Sequence, residues 1–116
     1  MKRAIAALSC ALAGLAVAPS LAGANVPPGL YRCVTPENGR HFANLRILGT
    51  DEYRWKGNGH HGRYAVSGRR IHWRTGPLAH IFDGGELLRG QRETLIDLFT
   101  GAHPGGRDDI HCRLDH

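Results

Sequence analysis

The chain is built from short segments in which apolar and polar residues alternate, and each segment ends at a turn signal. The clearest is GRYAVSGRRIHWRTGPL, at 62–78, which alternates on both sides of Ser67-Gly68. Because successive side chains of a strand point to opposite faces, this pattern predicts two paired strands with one apolar and one polar face. No segment has the sustained periodicity of an amphipathic helix. Further alternating segments lie at 29–35, 42–49, 52–57, 93–100 and 108–115.

Seven or eight short strands joined by turns predict an all-β fold, either a small antiparallel meander barrel or a tight sandwich. Asn38-Gly39 is a favoured pair for a tight hairpin turn. Asp83-Gly84-Gly85 marks a turn within 78–91, a segment that we expect to hold one or two short strands. Closing the sheet into a barrel would remove the exposed edges through which sheets aggregate.

The hairpin at 62–78 separates its charges from its apolar residues. If Ser67-Gly68 forms a two-residue turn, Val66 lies opposite Arg69, and Tyr64 lies opposite Ile71. The core face then has Tyr64, Val66, Ile71 and Trp73. The other face must be in water, because so many unpaired cations cannot be buried. That face has Arg63, Arg70, His72 and Arg74.

The segment 93–100 can face the core in two ways. Either Ile96 and Leu98 point inward, or Leu95, Asp97 and Phe99 do. We expect the first orientation because it leaves the Asp97 carboxylate in water, whereas burying an unpaired charge is unfavourable.

The first 24 residues have the organisation of a secretory signal peptide. They start with two cations, continue with an apolar run at 4–18 and end in the sequence AGA, which is an A-x-A cleavage site. We therefore expect cleavage before Asn25, a single domain over 25–116, and a periplasmic or secreted location. The apolar run is too short for a membrane span, so no transmembrane segment is expected. A lipid anchor at Cys10 is a minor alternative.

Two cysteines remain after cleavage, Cys33 near the start of the domain and Cys112 near its end. In an oxidising compartment they most simply form one disulfide bond. In a closed barrel the first and last strands are neighbours, so this bond would join them. A single domain of this size has a thin core, and closing a loop of this length stabilises it by roughly 4.5 kcal/mol if chain entropy dominates.

Positive charge is concentrated in the middle of the chain. Residues 53–82 have six Lys or Arg and no acid, whereas residues 83–116 have seven acids and four Arg. Arg suits bidentate contact with carboxylate or phosphate, so the polar face predicts a surface for lipopolysaccharide, an anionic glycan or an acidic protein. The alternative is an ordinary solvated sheet face in an Arg-rich sequence. The candidate ligand-binding residues are Arg54, Lys56, Arg63, Arg70, His72 and Arg74.

Signals for catalysis or metal binding are weak. Ser67 is the only serine after cleavage and has no G-x-S-x-G setting, and both cysteines are expected in the disulfide bond. The histidines have no H-x-x-x-H or H-E-x-x-H spacing, although His60-His61 could join His41 or His103 around Zn²⁺ or Cu²⁺ if the loops converge. We predict no enzyme activity, no cofactor and no metal. Nucleic acid is not an expected partner, because the exposed face has no interleaved aromatic residues for base stacking.

Three stretches carry a resemblance to known proteins: LYRC at 30–33, GRYAVSGRRIHWRTGPLA at 62–79 and DIHCRL at 109–114. They resemble small secreted bacterial β-barrel proteins and, distantly, the periplasmic c-type lysozyme-inhibitor family. HGRY at 61–64 and WRTG at 73–76 stand where that family has Ser-Gly-x-x-Tyr and Trp-x-Lys-Gly. The resemblance implies an eight-stranded barrel with a Cys near each end, and inhibition of a lysozyme. His61 replaces the serine with which that family reaches the catalytic carboxylates of lysozyme.

Three functions follow as hypotheses. The leading one is a non-enzymatic exported module that binds an anionic ligand or a protein partner on its cationic sheet face. The second is an inhibitor of a cell-wall lytic enzyme, acting through the loops at 60–62 and 76–80. The third is a carrier with its pocket inside the barrel. Against the third, the bulky inward side chains should fill a small barrel; they are Tyr53, Trp55, Tyr64 and Trp73.

Overall fold

The computed structural model describes residues 26–49, 51–57 and 60–115. Within them, eight strands form a closed barrel in chain order, and every neighbouring pair is antiparallel. The predicted all-β meander is therefore confirmed, in its barrel form. The expected signal peptide, 1–24, lies outside the described residues. The strands are β1 (Gly29–Val34), β2 (His41–Leu48), β3 (Glu52–Trp55), β4 (His61–Ser67), β5 (Arg70–Trp73), β6 (Gly84–Arg89), β7 (Thr94–Phe99) and β8 (Ile110–Leu114).

The interior of the barrel is filled by the apolar residues of the alternating segments. The four bulky side chains predicted to point inward are all buried, with exposures of 0–8%. The rings of Tyr53 and Trp73 meet edge to face with centroids 5.2 Å apart, and those of Tyr64 and Trp73 with centroids 6.2 Å apart. Each such ring buries roughly 150–250 Å² of surface, which is a large contribution in a domain of this size. The barrel interior is therefore a packed core.

The first and last strands of the barrel are joined by a covalent bond. Cys33 lies directly opposite Cys112 in the register of β1 and β8, and the two sulfur atoms are bonded. The predicted disulfide bond is confirmed, and it links the first and last strands. Both cysteines are fully buried and belong to the core.

The hairpin of β4 and β5 has the predicted faces but a different register. Tyr64 lies opposite Trp73, and Ser67 lies opposite Arg70, so the turn residues are Gly68 and Arg69 rather than Ser67 and Gly68. Gly68 has φ 63°, a left-handed conformation that glycine adopts without steric penalty. A two-residue hairpin turn of type II′ has glycine at its first position, as here, and this placement shifts every cross-strand pair relative to our expectation.

The segment 78–91 differs from the prediction in two respects. It begins inside a single-turn helix, α1 (Pro77–Ile81), which is too short to leave a periodic pattern. Gly84 and Gly85 begin β6 instead of forming a turn. Both glycines are buried beside aromatic rings. A Cβ on Gly84 would lie 2.7 Å from the Phe99 ring, and one on Gly85 would lie 3.0 Å from the Trp73 ring. Here the glycines permit close approach of aromatic rings.

Asp97 is buried, contrary to our expectation that it lies in water. Ile96 and Leu98 point into the barrel as predicted, which places Asp97 and Phe99 on the outer side. Their exposures are nevertheless 6% and 2%. Asp109, which lies between β7 and β8, is also buried, and its carboxyl is in hydrogen-bond contact with Asp97. Strand alternation carries no information about such a contact.

Candidate anion-binding face

The six predicted ligand-binding residues lie along three consecutive strands of the barrel. Five of them are exposed, and Arg70 is half-buried. They are Arg54 in β3, Lys56 directly after it, Arg63 in β4, Arg70 and His72 in β5, and Arg74 directly after β5.

Two of these six residues have acidic neighbours in the folded barrel that were not expected from the acid-free stretch 53–82. Arg63 Nη1 lies 2.6 Å from Asp51 Oδ2, and its Nη2 lies 4.0 Å from Glu52 Oε2. Arg70 lies opposite Glu86 in the register of β5 and β6, and its guanidinium stacks over the Phe99 ring at 5.1 Å. The acid-free stretch 53–82 is therefore not an acid-free surface, because antiparallel pairing brings in carboxylates from either side of it.

Lys56 occupies a strained position beside β2. Its φ is 60°, in the left-handed region that side chains other than glycine rarely adopt. Its N–H donates to Asn44 O at 3.0 Å, and its ammonium lies 5.0 Å above the Phe42 ring centroid. This cation–π contact directs the Lys56 charge toward β2, away from β4.

A second group of cations extends from Arg54 across β2, β1 and β8. Arg54 lies directly opposite Arg46 in the pairing of β3 with β2. Arg32 lies directly opposite Arg113 in the pairing of β1 with β8. All four side chains are exposed. We name this set the arginine face.

The arginine face has few acidic partners. Arg113 Nε lies 3.1 Å from Glu93 Oε1. In the part of the chain that the structure describes, no carboxylate lies within ion-pair distance of Arg32, Arg46 or Arg54. Like charges directly opposite each other on a sheet are destabilising, so the fold tolerates a local electrostatic cost here.

Two open grooves lie along the arginine face. The larger, of about 540 Å³, runs beside β1 and β8 and includes both Arg32 and Arg113. The smaller, of about 180 Å³, is lined by Leu30, Asn44, Arg46, Arg54 and Gly57. The other residues of the larger groove are Val34, Gly39, His41, Leu95, His111, Leu114 and Asp115.

One residue of the larger groove also contacts the buried acids. His111 Nδ1 lies 2.8 Å from Asp97 Oδ1, although no hydrogen-bond donor is aligned on that oxygen in the described part of the chain. Burial, followed by the hydrogen bond with Asp109, raises the pKa of Asp97 to about 6, and His111 acts in the opposite direction. Asp109 accepts the N–H groups of Gly105 and Gly106 at 2.7 Å and 3.2 Å.

Arg32 and Arg46 were not among the site residues predicted from the sequence. They become candidates only when their cross-strand partners are known, because Arg46 lies opposite Arg54 and Arg32 lies opposite Arg113. The second of these pairs could have been anticipated, because a disulfide bond between residues 33 and 112 places their neighbours side by side.

Over residues 26–49, 51–57 and 60–115, the structure brings together no group of three or more His, Cys, Asp or Glu side chains arranged to hold a metal ion. No helix among the same residues has the length and hydropathy needed to cross a membrane.

No protein-family model, curated protein or solved structure matches this chain. The resemblance to the lysozyme-inhibitor family therefore stays a prediction.

Proposed function

We propose that this protein is a non-enzymatic exported module that binds an anionic ligand on its arginine face. The observation that carries the proposal is the direct opposition of Arg46 and Arg54 on neighbouring strands, with Arg32 and Arg113 opposed in the same way. A fold that places like charges together is less stable than one that separates them. A bound phosphate, sulfate or carboxylate would relieve this repulsion and receive charge-assisted hydrogen bonds.

The original set of six candidate residues divides on this basis. Arg54 is part of the arginine face and Lys56 adjoins it, so both belong to the proposed site. Arg63 pairs with Asp51, so its charge is already offset. Arg70 is half-buried over the Phe99 ring and lies opposite Glu86, whose carboxylate pairs with Arg69. His72 and Arg74 are exposed on the neighbouring strand and can extend the surface for a long polyanion.

The disulfide bond supports export. Disulfide bonds persist in oxidising compartments such as the periplasm or the extracellular space. Ligands of the required chemistry there include the phosphates of lipopolysaccharide and anionic glycans. The proposal needs no catalytic group and no cofactor.

The test compares two double variants that remove the same charge from different places. Arg46→Gln/Arg54→Gln removes one opposed pair, and Arg63→Gln/Arg69→Gln removes two arginines that already have carboxylate partners. Binding to lipopolysaccharide is measured by titration, and retention on heparin is measured across a salt gradient. We expect the first variant to bind about 10-fold more weakly, and the control to change by less than about 2-fold, because charge-assisted hydrogen bonds are lost only in the first.

Folding is checked on the same samples. Removing the opposed pair should leave the free energy of unfolding unchanged or raise it by up to about 1 kcal/mol, because like charges no longer face each other. An equal loss of binding in both variants would mean that net charge alone drives retention, and would rule out the arginine face as a site.

A second function, inhibition of a cell-wall lytic enzyme, is supported by one contact. The two segments assigned to it, 60–62 and 76–80, are adjacent, since a Cβ on Gly76 would lie 2.6 Å from His61 O. The structure places most of their residues in β4 and α1 rather than in loops. Ile81, the last residue of α1, is 50% exposed. A turbidity assay with several lysozyme types tests this function. Protection by the wild type that is lost in His61→Ala/Ile81→Ser supports it, and absence of protection at excess protein excludes it.

A further inference from the structure

We infer that the larger groove, beside β1 and β8, binds an anionic amphiphile: one phosphate or carboxylate headgroup attached to an apolar chain. This inference rests on the proposed function and assigns a ligand class to one part of the arginine face. The arrangement that carries it is a strip of leucines directly beside an opposed pair of arginines on the outer side of the barrel.

The strip is visible in the strand register. Leu88 lies opposite Leu95, Leu95 lies opposite Arg113, and Arg113 lies opposite Arg32. One row across β6, β7, β8 and β1 therefore has two leucines followed by two arginines. An outer sheet face normally has polar residues, so adjacent half-buried leucines here form an apolar surface that ends at two guanidinium groups.

The groove suits one anionic group better than a polyanion. Arg113 forms an ion pair with Glu93 at its Nε, which leaves the two terminal nitrogens of its guanidinium available as donors. Arg32 has no carboxylate within ion-pair distance among the described residues, while Asp115 lines the same groove. Glu93, paired with Arg113, and Asp115, in the lining of the same groove, lower the net positive charge there, which favours a single headgroup over a long polyanion. Forked donors remain for a single headgroup.

The apolar lining completes the match. Val34, Leu95 and Leu114 line the groove and are all half-buried. The groove volume of about 540 Å³ lies within the range of ligand pockets, roughly 300–1,000 Å³. An apolar chain along these side chains gains about 0.8 kcal/mol for each CH₂ group that leaves water.

The test uses isothermal titration of the full disulfide-bonded domain with three probes. They are dodecyl phosphate below its micelle concentration, inorganic phosphate, and dodecyltrimethylammonium, which has the same chain and the opposite charge. We expect dodecyl phosphate to bind at least about 10-fold more tightly than either of the others, because only it engages both the guanidinium groups and the leucine strip.

Variants locate the binding. Arg32→Gln should weaken dodecyl phosphate binding about 10-fold through loss of a charge-assisted hydrogen bond, and Leu95→Thr should weaken it several-fold through loss of apolar contact. Arg63→Gln, which removes an exposed arginine on β4, is the matched control and should change binding by less than about 2-fold.

Three outcomes would overturn the inference: equal binding of inorganic phosphate, equal binding of the cationic amphiphile, or an unchanged affinity in Arg32→Gln. Its failure is separable from that of the proposed function. If lipopolysaccharide or heparin binding still depends on Arg46 and Arg54 while dodecyl phosphate does not bind, the proposed function stands and this assignment is wrong. If neither binds, both are wrong.

Discussion

At the scale of single residues, the buried pair of Asp97 and Asp109 makes stability depend on pH. Burial and the Asp109 hydrogen bond raise the pKa of Asp97 from 3.8 to about 6, so the folded protein holds a proton that the unfolded chain releases at lower pH. The stabilisation from this proton is complete below about pH 4 and is lost as the pH rises to about 6. Glu86, opposite Asp97 on β6, raises the pKa further.

Asp97→Asn should remove this dependence. The variant keeps a donor for Asp109 and cannot ionise, so its free energy of unfolding should gain about 2 kcal/mol relative to wild type between pH 4 and pH 7. Urea unfolding across this range measures the difference. Asp108→Asn, which changes an exposed neighbour, is the control and should follow wild type at every pH. Parallel curves for wild type and Asp97→Asn would contradict the raised pKa.

At the scale of elements, the packing of β4 against the segment before α1 depends on Gly62. A Cβ on Gly62 would overlap Thr75 O and lie 2.7 Å from Tyr53 Oη. That hydroxyl donates to Thr75 O at 2.7 Å and accepts the Leu78 N–H at 3.0 Å, so it holds the segment in place.

Gly62→Ala should therefore destabilise the protein by about 3 kcal/mol, because the added methyl group must displace backbone atoms. Gly90→Ala is the matched control: its Cβ would meet its nearest atom, Glu93 O, at an ordinary 3.6 Å. The control should stay within about 0.5 kcal/mol of wild type. Equal urea midpoints for the two variants would mean that β4 and this segment are not in close contact.

The elements also show which parts of the fold a sequence can specify. Alternation identified the strands and the inward side chains Tyr64 and Trp73, because each depends only on residues nearby in the chain. Strand register is harder to predict from the sequence. A shift of the turn from Ser67-Gly68 to Gly68-Arg69 leaves the two faces of the hairpin unchanged but alters every cross-strand pair. The burial of Asp97 could not be predicted from the alternation of β7, because it involves Asp109, which lies outside that strand.

At the scale of the whole molecule, the arginine face depends on closure of the barrel. Arg32 and Arg113 are far apart in sequence and become neighbours only when β8 pairs with β1. The sequence predicted a cationic surface from residues that lie close together in the chain, and these were Arg54, Lys56, Arg63, Arg70, His72 and Arg74. That prediction did not include the pair of Arg32 and Arg113, because their pairing depends on closure of the barrel. Where acids join that surface, at Asp51 and Glu86, it is again the sheet register that brings them there.

The disulfide bond secures this closure, and its removal tests stability and binding together. The Cys33–Cys112 bond spans 79 residues, so its loss should lower the free energy of unfolding by about 4.5 kcal/mol. We expect this loss in Cys33→Ala/Cys112→Ala and in the reduced wild type, measured by urea unfolding. Four residue pairs still join β1 to β8, so the folded fraction should keep its affinity for dodecyl phosphate if that ligand binds. A reduced protein as stable as the oxidised one would mean that strand pairing alone closes the barrel.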